Sequence, residues 1–244
     1  TALLLYNQSK KYYPSEYSDI PTGYVGLVGR VTYDWKTRYM AEFNAGYNGS
    51  ENFRPGNRYG FFPAGSLGWV VSEESFFQPI KSVVNYLKLR ASVGMVGNDV
   101  SQRFLYLPDS YQYGDGGYYF GQNVGNKMPG ASEVSRSNPD AKWETAVKQN
   151  YGVDATFLAE RLTVSLDYFR DILSKPDYLP AILGMSLPSV NVGETLNRGF
   201  EVQLKWNETL KNDFRYWANF NISFSRNKIV YKNEVDQNEP WMYE

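Results

Sequence analysis

The chain has 244 residues, with 25 Lys+Arg against 26 Asp+Glu and a formal net charge of −1. So even a balance supplies no basic stripe for nucleic acid. There is no cysteine and no histidine, which excludes disulfides, thiolate zinc sites, Cys nucleophiles, Ser–His triads and the imidazole proton shuttle.

Aromatic residues make up 17% of the chain, and disordered sequences are poor in them, so this one folds. A membrane helix needs roughly 18 or more consecutive apolar residues. The longest notable uncharged run, Tyr178 to Gly193, is interrupted by Pro180 and Pro188, so no spanning helix is expected. The start shows no initiator Met, basic n-region or apolar h-region, so no signal peptide is expected either. Thr1 to Tyr6 instead reads like the middle of a strand, as in a segment of a longer chain.

The dominant pattern has period two. A partial first strand covers Leu3–Asn7. The next puts Val25, Leu27, Gly29, Val31 and Tyr33 on one side, against Arg30, Thr32 and Asp34. After Trp35–Thr37, Tyr39, Ala41, Phe43, Ala45 and Tyr47 alternate with Arg38, Glu42, Asn44 and Asn48. Tyr59, Phe61, Leu67, Trp69 and Val71 mark a fourth run; Leu87, Leu89, Ala91, Val93 and Met95 mark a fifth, alternating with Lys88 and Arg90. The remaining runs are Val147–Phe157, Leu162–Tyr168, Phe200–Trp206 and Phe214–Phe224, which predicts nine strands in all.

Such alternation builds either a soluble β-sandwich or a transmembrane antiparallel β-barrel. Many runs reach about nine to eleven residues, the length of a tilted membrane strand, whereas sandwich strands are commonly about five or six. Loop lengths also alternate. Trp35–Thr37, Leu158–Glu160 and Asn207–Asn212 are short; Ser9–Pro21, Gly49–Arg58, Gly97–Trp143 and Ile172–Asn191 are long, as is the stretch after Arg226. Outer-membrane barrels have short periplasmic turns and long outside loops in the same way. The exception is Ser72–Asn85, which falls on the short side and is expected to hold a helical turn around Glu73–Phe77.

Outward residues nearest the short turns are Tyr33, Tyr39, Trp69, Phe157, Trp206 and Phe214, the composition of an interfacial girdle. The interleaved set carries Arg30, Glu42, Asn44, Lys88, Arg90, Lys148, Asp154, Asp167, Glu201, Lys205 and Arg215. Facing a wet lumen, these charges form ion-pair ladders on the wall or hold a plug domain. Nine strands cannot close in lipid without leaving unpaired peptide groups, and single-chain bacterial barrels have even strand counts. The expectation is a segment of a larger barrel, with residues 1–244 all within one barrel domain.

No catalytic constellation is found. Glu73 and Glu74 are adjacent and would point oppositely on a strand. Gly114-Asp115-Gly116-Gly117 lacks the Lys-Ser/Thr and helix of a phosphate loop. Asn98, Asp99, Asp109 and Asp115 carry oxygen donors, but at no calcium-loop spacing. No metal site, cofactor or enzymatic activity is expected. Gly97–Trp143 is rich in aromatics: Tyr106, Tyr111, Tyr113, Tyr118, Tyr119 and Phe120. Aromatic faces stack on sugar rings or peptide side chains, so these residues are candidates for ligand contact; the other reading is a loop packed on itself or on a partner.

Several strings resemble one family. They are GRVTYD (Gly29–Asp34), RYMAEFNAGYNGSENF (Arg38–Phe53), RYGFFPAGSLGW (Arg58–Trp69), LKLRASVG (Leu87–Gly94) and GND (Gly97–Asp99). NPD (Asn138–Asp140) with Trp143-Glu144, and NRGFEV (Asn197–Val202), continue the series. In this order and spacing they resemble the barrel of SusC/RagA-type TonB-dependent transporters of Gram-negative outer membranes. The resemblance implies a 22-stranded barrel with an N-terminal plug, neither the plug nor the TonB-contacting segment being in this chain. It further implies import of oligosaccharides or oligopeptides, a SusD-type surface lipoprotein as lid, energy from the TonB complex through the plug, and a dimer of transporter–lipoprotein pairs. A passive pore would share every barrel feature without a plug. A soluble β-sandwich binding carbohydrate through the Tyr-rich loop would need its apolar faces buried against a second sheet.

Overall fold

The computed structural model describes residues 1–14, 19–99, 103–104, 106–107, 110–114, 117–121, 127–135, 137–178, 189–210 and 213–232. Its strands are β1 (Ala2–Lys11), β2 (Thr22–Trp35), β3 (Tyr39–Ser50), β4 (Tyr59–Val70), β5 (Val84–Asn98), β6 (Ser110–Tyr113), β7 (Tyr118–Tyr119), β8 (Lys127–Met128), β9 (Ala131–Ser135), β10 (Glu144–Phe157), β11 (Leu162–Tyr178), β12 (Ser189–Thr209) and β13 (Arg215–Tyr231). Nine of them form one antiparallel sheet in the order β1-β2-β3-β4-β5-β10-β11-β12-β13. The short strands pair as β6 with β9 and β7 with β8, inside the long loop between β5 and β10.

Directly opposed residues of an antiparallel pair share a face, and the ladder fixes which ones are opposed. Tyr33 lies opposite Ala41, which continues through Leu67, Ala91, Tyr151, Tyr168 and Phe200 to Phe224. One apolar stripe therefore crosses eight strands. It starts at Tyr33, beside the end of β2 at Trp35, and finishes at Phe224, well inside the strand that begins at Arg215. That steady climb is the stagger of tilted strands in a barrel wall.

The nine long strands do not split into two facing sheets, as a sandwich would require. Val31, Phe43 and Leu67, in the middle of the apolar face, remain 55%, 54% and 67% exposed. Burial is concentrated at the two ends of the sheet instead. Val70, Val71, Ser72 and Phe77 are buried near the short turns, and Phe53, Phe62, Phe104, Asn138 and Ala141 at the long-loop end.

The turn between β2 and β3 is a tight one. The Arg38 N–H donates to the Trp35 carbonyl at 3.0 Å, with Lys36 and Thr37 both at φ 54°. This handedness matches the twist of a hairpin, although glycine or asparagine is the usual occupant. The Asp34 carboxylate accepts from the Thr37 N–H at 3.0 Å and helps hold it.

Several expected boundaries shift, with β1 running on to Lys11 and β13 to Tyr231. The stretch Ile172–Asn191 is not all loop: β11 runs on to Tyr178 and β12 starts at Ser189. A hairpin projecting beyond the bilayer keeps its backbone ladder without needing an apolar face, so alternation fades before pairing does. The connection Ser72–Asn85 holds 3₁₀ turns at Val71–Glu73 and Ser75–Ile80, close to the helical turn expected around Glu73–Phe77.

Phe43 and Asn44 provide the sharpest check of the register, being adjacent on β3 and on opposite faces. Phe43→Asp should cost up to about 2 kcal/mol by placing a carboxylate in lipid, and should reduce heat-resistant barrel in a semi-native gel assay. Asn44→Ser should leave assembly nearly unchanged. Asn44→Asp is a poorer comparison, because the Asn44 amide donates to Glu42 Oε1 at 2.7 Å and an aspartate would set two carboxylates together.

Candidate functional site

The eleven polar candidates share the face opposite the apolar stripe. Arg30 lies opposite Asn44, Lys88 opposite Asp154, Asp167 opposite Glu201, and Lys205 opposite Thr163. Arg30 and Glu42 form an ion pair, to which Asn44 adds its amide. Lys148 reaches Asp171 at 3.7 Å. The densest cluster is centred on Arg90, whose Nε and Nη2 meet Asp154 at 2.9 and 3.2 Å while Nη1 and Nη2 meet Asp167 at 2.8 and 2.7 Å. Such two-sided forked pairing is what guanidinium geometry favours.

Gly152, directly opposite Arg90, makes this reach possible. A Cβ at that position would meet the guanidinium carbon at 2.6 Å, so only glycine lets the fork lie across β10 toward Asp167 on β11. Beside the cluster runs a concave trough of about 670 Å³, lined by Thr32, Asp34, Glu42, Ser66, Lys88 and Asn150 among others. Glu201 lies next to Asp167, and Arg215 continues this face near the short turn.

At the long-loop end a second assembly was not foreseen from the sequence. The ladder from β4 to β5 stops at Ala64, beside Pro63, which has no N–H to donate. Beyond that point the Phe62 ring fills the space: a side chain at Gly60 or Gly97 would collide with it. Trp143 packs edge-on against Phe62 at 5.2 Å and tilted against Phe53 at 5.4 Å. Its indole N–H donates to the Arg58 carbonyl at 3.1 Å, and Arg58 Nε donates to the Phe53 carbonyl at 3.1 Å. The Asn52 amide binds the Asp99 carbonyl, the Asn57 amide binds the Ala141 carbonyl, and Arg103 pairs with Glu51 at 3.0 Å. The loops after β3 and β5 are thereby laced into one body. A large aromatic at an even position of β4, where its neighbours on that face are small or polar, is the signal that could have revealed it.

Placement of the aromatic loop residues is uneven. Tyr106 is half-buried beside Phe104, with ring centroids 6.1 Å apart. Tyr113 is 82% exposed. Tyr118, Tyr119 and Phe120 are exposed too, and the first and last of them meet edge-on at 5.0 Å. Tyr111 lies on β6 opposite Glu133. Asp109 and Asp115 lie outside the described residues; among the described residues no cluster of carboxylates suited to a metal ion occurs.

Near the short turns, Tyr39 stacks on Trp69 at 6.4 Å and on Trp35 at 5.6 Å. Tyr33, Phe157, Trp206 and Phe214 complete the aromatic set on the apolar face, Trp206 lying opposite Leu162 and Phe214 stacking on Tyr216 at 6.3 Å. The polar ends of Tyr39 and Trp69 meet Glu74, which the sequence marked only by its adjacency to Glu73. Glu74 accepts from the Tyr39 hydroxyl at 2.6 Å, the Trp69 indole N–H at 3.1 Å and Arg38 at 3.2 Å. These donors, Tyr39 foremost, hold its carboxyl below the ordinary carboxylate range. The long connection on the short side thus folds up to cap the aromatic row.

Trp143→Ala should destabilise the loop body by about 3 kcal/mol and expose Arg58 to trypsin while the strands stay protected, as mapped by limited proteolysis of the assembled barrel. For Glu74, a lowered folded-state pKa contributes stability above the unfolded-state value and loses it as pH falls through the folded value. The stability gap between wild type and Glu74→Gln should therefore be constant above about pH 6 and close toward acid pH, followed as unfolding midpoints in denaturant.

Residues 4–243 match the family described as TonB dependent receptor-like, beta-barrel. The chain is 32% identical over 211 residues to TonB-dependent receptor P39 of Formosa agariphila, covering 84% of this chain and 19% of that protein. It is 30% identical to TonB-dependent receptor SusC of Bacteroides thetaiotaomicron, covering 84% of this chain and 21% of that one. Its fold matches the RagAB peptide importer in the open-open state with a TM-score of 0.72 at 21% identity, covering 87% of this chain and 22% of that one. The chain spans about a fifth of the length of these relatives. The long antiparallel strands, the single staggered sheet and the SusC/RagA-type strings agree with these matches, and the chain belongs to the TonB-dependent receptor β-barrel family of the bacterial outer membrane.

Proposed function

We propose that this chain forms part of the wall of a transporter that takes up nutrients actively across the outer membrane. The observation that carries the reading is the register: it collects Arg30, Glu42, Lys88, Arg90, Lys148, Asp154, Asp167, Glu201, Lys205 and Arg215 on one face, which supports reading that face as the lumen lining. The apolar face meets lipid, with Tyr33, Tyr39, Trp69, Phe157, Trp206 and Phe214 as its girdle on the periplasmic side. All 244 residues belong to one barrel domain, whose plug lies elsewhere in the protein.

A wall of this kind carries out no chemistry. Arg90 tied to two aspartates, and Arg30 tied to Glu42, present a hydrophilic surface whose charges are paired within the wall, which lets a polar solute pass without trapping it. The SusC relative and the importer named for peptides support oligosaccharides or oligopeptides as the cargo class. The same relatives support a SusD-type lipoprotein over the loop end, where the laced loops offer a firm rim; a dimer of such pairs is part of the proposal. Energy comes from the TonB complex through the plug. The exposed Tyr113, Tyr118, Tyr119 and Phe120 are where ligand or lid makes contact.

Deleting residues 111–120 from the full-length protein should lower uptake of the native ligand while heat-resistant barrel persists; unchanged uptake would remove this loop from the path. In the same cells, collapsing the proton gradient should abolish uptake. Uptake that survives would mean a passive pore.

A further inference from the structure

The apolar face carries one row that does not suit lipid tails. Two residues beyond the stripe Tyr168–Phe200–Phe224, Arg170 lies opposite Arg198, and Arg198 lies opposite Arg226. Lys228, opposite Leu196, adds a fourth cation in the next row. No acidic residue stands in the arginine row or in the rows immediately above and below it: those rows hold Tyr168, Phe200 and Phe224 on one side and Ile172, Leu196 and Lys228 on the other.

Like charges directly opposite each other on a sheet destabilise it, so such a row calls for a counter-charge. Six other described arginines have one. Arg30, Arg38, Arg54, Arg90, Arg103 and Arg161 each hold a carboxylate. Arg198 and Arg226 are exposed and Arg170 half-buried, and none of the three has a hydrogen bond or ion pair among the described residues.

Height decides what supplies the missing charge. Arg170 is eight residues along β11 from Leu162, and Arg198 is eight along β12 from Trp206, the ends nearest the short turns. On the neighbouring arc, Tyr47 is eight from Tyr39 and Phe61 eight from Trp69, and Tyr47 stacks on Tyr59 at 5.1 Å. Eight residues span roughly 26 Å along a strand, or about 20 Å along the membrane normal at a tilt near 40°. The arginines thus occupy the outer boundary of the apolar band, where other strands place aromatics. A cation facing lipid is costly at the midplane and nearly free at that boundary.

We propose that Arg170, Arg198 and Arg226 form a lateral site for the phosphate groups of an outer-leaflet lipid. Adjacent strands are about 4.8 Å apart, so three guanidiniums lie within about 10 Å, and a phosphorylated headgroup can accept from all of them. Its acyl chains then lie over Tyr168, Phe200, Phe224, Leu166, Val202 and Ile222 directly below. A free anion would gain nothing from that apolar floor, which is why lipid is the occupant. The proposal rests on the membrane placement of the sheet and not on what the barrel imports, and its readout is bound lipid, not uptake.

The test uses the full-length protein, purified in neutral detergent and titrated with bis-phosphorylated lipid A and with the same lipid after phosphatase treatment, bound lipid being counted by native mass spectrometry. The phosphorylated form should bind more tightly by on the order of 100-fold, as three surface cations would supply. Arg170→Gln, Arg198→Gln and Arg226→Gln combined should remove the preference, and the corresponding triple lysine variant should keep most of it. Lys88→Gln, Lys205→Gln and Arg215→Gln combined, an equal loss of charge on the lumen face, should leave it intact. Equal binding of the two lipids by the wild-type protein overturns the proposal even if the glutamine variant fails to assemble. Full displacement by millimolar inorganic phosphate overturns it as well, in favour of a free-anion site.

Discussion

A peptide group in hydrocarbon has no water to bond to, so each strand of this sheet must be matched by its neighbours along its whole membrane-crossing length. Everything else follows from that ladder. Because side chains alternate with a period of two, the pairing that satisfies the backbone also decides, residue by residue, which side chains meet lipid and which meet water. The stripe from Tyr33 to Phe224 and the opposing face from Arg30 to Lys205 are two consequences of one register.

Where the ladder is interrupted, side chains compensate. Pro63 ends pairing between β4 and β5, and the Phe62, Trp143 and Phe53 rings occupy the space that opens. At the opposite end the aromatic row leaves hydroxyl and indole donors pointing past the last peptide groups, and Glu74 gathers them together with Arg38. The rim and the base of the wall are thus fixed by a few buried contacts, while the wall between them is held by backbone bonds and by ion pairs such as Arg90 with Asp154 and Asp167.

Period two was legible because each crossing strand needs an apolar residue at every second position, and all nine strands could be found that way. The polar face was legible for the same reason, since Glu42 and Asp167 fall between the apolar positions of their strands. Four features could not be read from alternation. The extensions of β11 and β12 to Tyr178 and from Ser189 lie beyond the apolar band, where pairing no longer constrains side-chain type. The Phe62–Trp143 contact joins residues 81 positions apart, which no local pattern encodes. Glu74 read only as one of two adjacent carboxylates, because its donors Tyr39 and Trp69 come from β3 and β4 and Arg38 from the turn before β3. The arginine row was visible as residues but not as a row, since Arg170, Arg198 and Arg226 become neighbours only once the register is set.

The central claim is that alternate residues of these strands face water and lipid. The chain contains no cysteine, so this segment adds no background to single-cysteine labelling. Cysteines placed one at a time from Ala41 to Tyr47 in the full-length protein, in intact outer membranes, would be treated with a charged, water-soluble maleimide. The account predicts labelling at 42, 44 and 46 and little at 41, 43, 45 and 47. Uniform labelling, or labelling in the opposite phase, would contradict it.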